Sequence, residues 1–316
     1  MKNAPFFSIV TPTYNRGDII LDSLNSVLNE ARQAKISVEV IVVDDHSSDN
    51  TEFVIRDWAD VNKVDWVRYF YLESRTGVTG ARNFGIDQAQ GKYLIFLDSD
   101  DQLLLGAFQR FKMLFEGHPE IDMIWGPIQL KSGKKVPERK DITNKVIGYG
   151  EYLKSGSISE HIPVLRRVSL ESPTVRFESA LNGFEGILYA RMLRRGSKMW
   201  IDSIPVRLYD DLRIDRYCHI SNLEKDSNRL LHGSFHYAQE FGADIKALAP
   251  RVFDRMLSRV VFYYKINGSS FPLIYSYIKG NLSSSTRMSW LIDLTPAVVL
   301  RAAYRLLWLL RAKSFS

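Results

Sequence analysis

Along the first 125 residues, short apolar runs alternate with stretches whose apolar positions recur at helical spacing. Phe6 to Val10, Val38 to Val43, Trp66 to Leu72, Tyr93 to Leu97 and Asp122 to Trp125 are too short for helices. They are rich in aromatic and branched residues and read as buried strands. Between them, Ile20, Leu24, Val27, Leu28 and Ala31 predict a first helix. Ser48 or Asp49 can cap a second that runs to about Trp58, and Gly77 opens a third that Gly91 stops. Leu104, Phe108, Phe111 and Phe115 predict a fourth. The stretch Thr11 to Gly17 is expected to break the first strand, and Gly126-Pro127 the fifth. Such alternation implies a mostly parallel sheet with helices on both faces. Residues 127 to 170 show no clear period; Ser169 to Thr174 reads as a loop, Ile204 to Tyr209 as a last strand, and the chain from Leu230 as helical.

Two of these strands end in acid: Asp44 and Asp45 follow Val43, and Asp98, Asp100 and Asp101 follow Leu97. Unpaired charge inside a buried strand is very costly, so the carboxylates belong where the strands emerge. In open α/β sheets that edge is where ligands bind. The D-x-D spacing suits a hard divalent cation; a solvated turn before the next helix is the competing reading. The first strand is followed by Pro12-Thr13-Tyr14-Asn15-Arg16-Gly17, without the G-x-G-x-x-G of a dinucleotide site, and no P-loop lysine motif occurs.

Four stretches carry a resemblance: Ser8 to Asn15, Val42 to Asp49, Ala81-Arg82-Asn83-x-Gly85, and Leu97 to Asp101. In this order they resemble the inverting family 2 glycosyltransferases of GT-A fold, over about residues 5 to 130 and weakly to 220. The resemblance implies a nucleotide-sugar donor, UDP-sugar being the expected type, and a divalent metal, Mn2+ or Mg2+. It places Pro12 and Tyr14 beside the nucleobase, with Asp45 accepting a hydrogen bond from the base, Asp44 its neighbour, and Arg82 supporting the same pocket. It places Asp98 near the ribose and the metal, and makes Asp100 the direct metal ligand. Further on, Val175 to Gly196 resembles the family's acceptor-side segment, and Glu185 falls where the family has its catalytic carboxylate, usually Asp. Phe184 stands where the family often has Glu, which is a departure. Glu178 is the reserve candidate. The expected acceptor is a saccharide or lipid-linked saccharide of bacterial surface polysaccharide synthesis. The alternatives are a sugar-phosphate nucleotidyltransferase and an inactive scaffold subunit.

Composition adds bounds. The 316 residues, 45% hydrophobic, suit a sizeable core, either one large domain or one domain with an appendage. With the resemblance, the expectation is a GT-A domain over 1–220 and a helical region over 221–316. A net charge of +6 permits an anionic partner such as a nucleotide or a lipid phosphate, and no nucleic-acid partner is expected. The single cysteine, Cys218, fits a reducing compartment. The opening residues do not read as a signal peptide, and no run of ~18 apolar residues occurs. The last helix, 296–311, is nearly all apolar beside a narrow stripe of Arg301 and Arg305; it is expected to lie in a membrane interface, with packing on the protein body or a second subunit as the alternative. With the resemblance, the expected setting is the cytoplasm, at the inner face of the cell membrane. Four readings are weaker. Arg166-Arg167 and the Lys131 to Lys135 turn read as solvated, with Arg166-Arg167 a minor candidate for an acceptor phosphate. His219 is a metal or diphosphate candidate, and His232 with His236 read as a helix surface.

Overall fold

The structure is a computed structural model that describes residues 4–134, 136, 141–156, 160–171, 174–212, 223–267 and 271–281. His219 and the expected last helix, 296–311, lie outside these residues. The chain divides into two compact units, Met1–Tyr152 with Ser157–Leu212, and Leu153–Gly156 with Arg213–Ser316.

The first unit begins β1 (Phe7–Thr13), α1 (Ile20–Ala34), β2 (Val38–Asp44), α2 (Thr51–Asn62), β3 (Val67–Tyr71), α3 (Gly77–Gln88) and β4 (Tyr93–Phe96). It continues with β5 (Gln102–Leu103), α4 (Ala107–Gly117), β6 (Met123–Leu130), β7 (Lys145–Ile147), the start of α5 (Tyr149–Ser155, of which Leu153 to Ser155 belong to the second unit) and β8 (His161–Arg166). A short 3-10 turn (Arg167–Leu170), α6 (Gly186–Arg194), β9 (Met199–Ile201) and β10 (Arg207–Tyr209) complete it. The sheet order is β3-β2-β1-β4-β8-β6-β10-β5, with β9 beside β6 and β7. Strands β1 to β4 pair in parallel, as the alternation implied.

The pleat sorts the core into two layers. Phe7, Ile9, Val40 and Val42 pack with Ile20, Leu24, Ile55, Phe108 and Phe111 of α1, α2 and α4. Val10, Ile41 and Val43 pack with Ala81, Ile86 and Leu188 of α3 and α6. Helix α1 also ties down α4: the buried Glu30 carboxylate accepts N–H bonds from Gly106 (2.7 Å) and Phe108 (2.9 Å). It thereby satisfies donors at a helix start that have no partner within the helix.

Several expectations need correction. Strand β1 runs on to Thr13, with Pro12 paired to Val43. The proline is tolerated because pairing with β4 stops at Val10, so no partner strand needs its missing N–H. Gly126-Pro127 does not end β6; the strand continues to Leu130 while pairing with β8 and β10. Leu104 precedes α4 and donates its N–H to Val206 (2.9 Å), so it belongs to a turn. Strand β8 was not expected; it lies antiparallel between β4 and β6. Part of the expected Ser169 to Thr174 loop is the 3-10 turn.

The basic pair is structural. Arg166 donates to the carbonyls of Pro119 and Ile121 and lies over the rings of Tyr93 and Phe115. Arg167 donates to the Gly91 carbonyl at 2.8 Å and pairs with Glu171. The turn after Leu130 is likewise held: Ser132 bonds Asp211, and Lys131 pairs with Asp210.

In the second unit, α7 (Leu223–Leu248) and α8 (Pro250–Asn267) form a hairpin, followed by α9 (Pro272–Asn281). Leu231, Phe235, Ala238, Phe241 and Ile245 line the buried stripe of α7 at helical spacing, and Phe253, Leu257, Val260 and Val261 that of α8. On α7, His232 meets the Phe271 ring, and His236 pairs with Glu240 one turn on. No helix among the described residues is long and apolar enough to cross a membrane.

Candidate active site

Strands β1 and β2 end side by side, with Thr13 paired to Asp44. Asp44 is turned inward and wholly buried: Oδ1 accepts the Ser47 N–H (2.7 Å) and Oδ2 the Tyr69 hydroxyl (2.6 Å). Burial, and then the hydrogen bond to Asp44 and the Asp44 charge, raise the Tyr69 pKa. Asp45 turns the other way, toward the start of α3. Its Oδ1 accepts the Thr76 N–H (2.6 Å) and its Oδ2 the Gly77 N–H (2.9 Å). An acid at a helix N-terminus is favoured both by these donors and by the helix dipole. Tyr14 lies beside it, half-buried, with the Arg75 guanidinium 3.6 Å over its ring and 3.8 Å from Asp45 Oδ2. The Thr13 hydroxyl is buried with no hydrogen-bond partner among the described residues.

Beyond β4, Asp98 to Asp101 form a turn closed by the Asp101 N–H to the Asp98 carbonyl (3.0 Å). The acids at its ends are each held by a buried arginine. Arg82 donates to Asp98 Oδ1 at 2.6 Å, and Arg207 of β10 donates to Asp101 Oδ2 at 2.8 Å. Asp100 sits between them, half-buried. Burial alone would raise the Asp98 pKa, but Arg82 and Arg207 outweigh it and hold the carboxyl below its usual range. Burial pushes the Asp101 carboxyl well above the usual range, with Arg207 opposing and Asp98 and Asp100 adding to the rise.

Arg82 reaches this turn because α3 packs tightly across β1. A Cβ at Gly85 would lie 2.3 Å from Val10 Cγ1, so only glycine allows the approach. The other arm of the guanidinium donates to Glu185 Oε1 at 3.2 Å. Arg82 therefore joins Asp98 to Glu185, rather than lying among the residues around Tyr14 and Asp45. Burial opposes its charge, and the two carboxylates more than restore it, so its pKa is raised. Its Nε is buried without a hydrogen-bond partner among the described residues.

Glu185 immediately precedes α6 but makes no side-chain cap to it. Its Oε1 accepts from Arg82 and from the Gly183 N–H (3.2 Å) instead, and a quarter of the side chain (24%) stays exposed. Tyr189, one turn on, is buried beneath this group, and burial raises its pKa. Glu178 is committed elsewhere, pairing with Arg191 of α6 at 2.5 Å. Sequence reasoning missed Arg207 and Arg75, which lie in no recognised motif, and Tyr189, which lies within the Val175 to Gly196 segment without being singled out; Arg207 had a faint signal as a charge within the predicted last strand.

The profile of the family described as Glycosyl transferase family 2 matches residues 8–171, which contain every strand-end acid of the site. The chain belongs to glycosyl transferase family 2. A relative from Campylobacter jejuni subsp. jejuni serotype O:2, GalNAc(5)-diNAcBac-PP-undecaprenol beta-1,3-glucosyltransferase, is 28% identical over 204 residues, 61% of each chain. An Escherichia coli relative, UDP-Glc:alpha-D-GlcNAc-diphosphoundecaprenol beta-1,3-glucosyltransferase WfgD, is 30% identical over 164 residues, 52% of this chain. The match spans 61% of the length of that relative also. A mannosyltransferase from Pyrobaculum calidifontis, solved with GDP-Man and Mn2+, superposes with a TM-score of 0.61 at 15% identity, over 96% of this chain and 88% of that one. That likeness shows the fold: the first unit has the GT-A architecture that the motifs implied.

Proposed function

We propose that this family 2 enzyme transfers a sugar, with inversion, from a UDP-sugar to a hydroxyl of a lipid-linked saccharide. The observation that carries this reading is the Asp98–Arg82–Glu185 chain. One buried guanidinium joins a donor-side acid to an acceptor-side acid, 2.6 Å from one and 3.2 Å from the other. Inversion requires attack from the face opposite the diphosphate, so the base and the leaving group need opposed sides of one small site. Glu185 supplies the base: it is accessible and held in place, and a sugar hydroxyl attacks well only as its proton is taken. Arg82 orients that carboxylate and keeps it apart from Asp98.

The nucleobase would lie against Pro12 and Tyr14, with its N–H directed to Asp45 Oδ2. Asp45 Oδ1 is taken by Thr76, whereas Oδ2 has the Gly77 N–H and only the more distant Arg75. Asp44 supports the end of β2 beside Asp45 through its bonds with Ser47 and Tyr69.

The donor set fits a cation shared with substrate phosphates. No group of three or more His, Cys, Asp or Glu among the described residues is arranged to hold a metal ion by itself, and such ions often take only one or two carboxylates. Asp100, with the Asp98 oxygen that Arg82 does not bond, would hold Mn2+ or Mg2+, whose charge would offset that of the departing diphosphate. The names of the two bacterial relatives support a lipid-linked acceptor, and hence work at the inner face of the cytoplasmic membrane.

The test is product analysis with UDP-glucose and GlcNAc-diphosphoundecaprenol in the presence of Mn2+, repeated with UDP-GlcNAc and UDP-galactose. Sugar transfer with inverted anomeric configuration is expected. A retained configuration, or no transfer and no donor hydrolysis with any of the three, contradicts the reading.

A further inference from the structure

The segment that delivers Glu185 has little regular structure of its own: from Phe177 to the start of α6 it consists of turns. Its position is set from α3. Asn83 brackets Phe177, its Oδ1 accepting the Phe177 N–H (2.9 Å) and its Nδ2 donating to the Phe177 carbonyl (2.9 Å). Asn182 sits on the first turn of the same helix. Its Oδ1 accepts the Thr79 N–H at 3.0 Å and lies 2.8 Å from the Thr79 hydroxyl. That N–H is one of the donors a helix start cannot satisfy internally.

The approach is close enough to constrain the backbone. Gly77 has φ +75°, and a Cβ there would fall 2.4 Å from the Asn182 amide. The same turn of α3 gives the Gly77 N–H to Asp45, and Arg82 farther along α3 bonds Glu185. One helix therefore carries the contacts of both the donor side and the acceptor side.

We propose that Asn182 is a positioning residue for the reaction: seated on Thr79, it fixes where the segment 182–185 leaves α3 and so aims the Glu185 carboxylate. This rests on the reading of Glu185 as the base. Asn182 acts only as an acceptor in the two bonds to Thr79, so a carboxylate at this position can make both. A displaced base is costly, because misplacement by an ångström can lower rates by up to ~10²-fold.

The experiment measures kcat, KM and the Kd of UDP. The donor is whichever of UDP-glucose, UDP-GlcNAc and UDP-galactose the native chain consumes, and the acceptor is GlcNAc-diphosphoundecaprenol. The variants are Asn182→Ala, Asn182→Asp, Glu185→Gln and the Asn182→Ala/Glu185→Gln double substitution. Asn182→Ala is expected to lower kcat about 10–100-fold with the Kd of UDP unchanged. Asn182→Asp is expected to recover most of that loss. In the Glu185→Gln background, Asn182→Ala should cost less than about 2-fold more, since a positioning residue matters little once its base is gone. Equal losses in both backgrounds, no recovery with Asp, or weakened UDP binding would overturn the proposal. Full turnover by Glu185→Gln alone would instead overturn the base assignment. Thr79→Val, which removes the hydroxyl and keeps the backbone N–H, serves if Asn182→Ala does not fold. It should lower kcat in the native background and not in the Glu185→Gln background; additive losses would overturn the proposal.

Discussion

Arg82 and Glu185, separated by 103 residues of chain, meet at 3.2 Å, and the same guanidinium holds Asp98. A lysine at this position keeps the charge but offers a single ammonium where a planar fork now spans two acids. Arg82→Lys is expected to lower turnover about 10-fold or more, as one of the two carboxylates loses its partner. Fold and melting temperature should change far less than with Arg82→Leu, which leaves both acids uncompensated. Steady-state rates beside thermal melts of the two variants check this.

Asp45 has two tasks, and its removal should show both. It caps the start of α3 through Thr76 and Gly77, so Asp45→Ala should cost about 1 kcal/mol of stability. It should also weaken UDP binding about 10-fold or more, with or without Mn2+, because a charged acceptor for the base is lost. Denaturant melts and UDP calorimetry separate the two effects.

Asp100→Asn should leave the fold intact, since the side chain belongs to a half-buried turn held at its ends by Arg82 and Arg207. Its effect should be confined to the metal-dependent part of donor affinity. Calorimetric titration of UDP with and without Mn2+ measures that part; its persistence in the variant would remove Asp100 from the cation site.

Asp49 provides a pH test of the fold. Burial, the largest single influence, raises its pKa, but hydrogen bonds from the Thr51 hydroxyl and from the Gly17 and Thr51 N–H groups together outweigh it, leaving it below the ordinary 3.8. The folded value is thus lower than the unfolded one. Its contribution is present above the unfolded pKa and is lost as pH falls through the folded value. The melting-temperature gap between the native chain and Asp49→Asn should be widest near pH 6 and narrow towards about pH 3. A gap independent of pH would mean that the charge of Asp49 plays no part.

The parallel half of the sheet was legible because each strand is a short apolar run ending in polar residues, and each helix keeps one apolar face. Strand β8 was not: it is inserted antiparallel between β4 and β6, contains Pro163, and carries charge at its exit. Strands β5, β7 and β9 are too short to show a period. The acids were legible as strand ends, because buried charge restricts where they can lie. Their partners were not. Nothing local to Ala81-Arg82-Asn83 indicates that Arg82 will reach Glu185, and nothing local to Asp101 indicates Arg207. Such pairings come from the packing of α3 and β10, which brings together residues far apart in the chain.

If Glu185 takes the acceptor proton, as proposed, the rate of glycosyl transfer beside UDP affinity for Glu185→Gln will show it. General-base assistance is typically worth ~10²–10⁴-fold, so turnover should fall by about that factor while the Kd of UDP and its Mn2+ dependence stay unchanged. Glu185→Asp should retain part of the activity. Undiminished transfer by Glu185→Gln, or a loss that follows weakened UDP binding, would contradict the account.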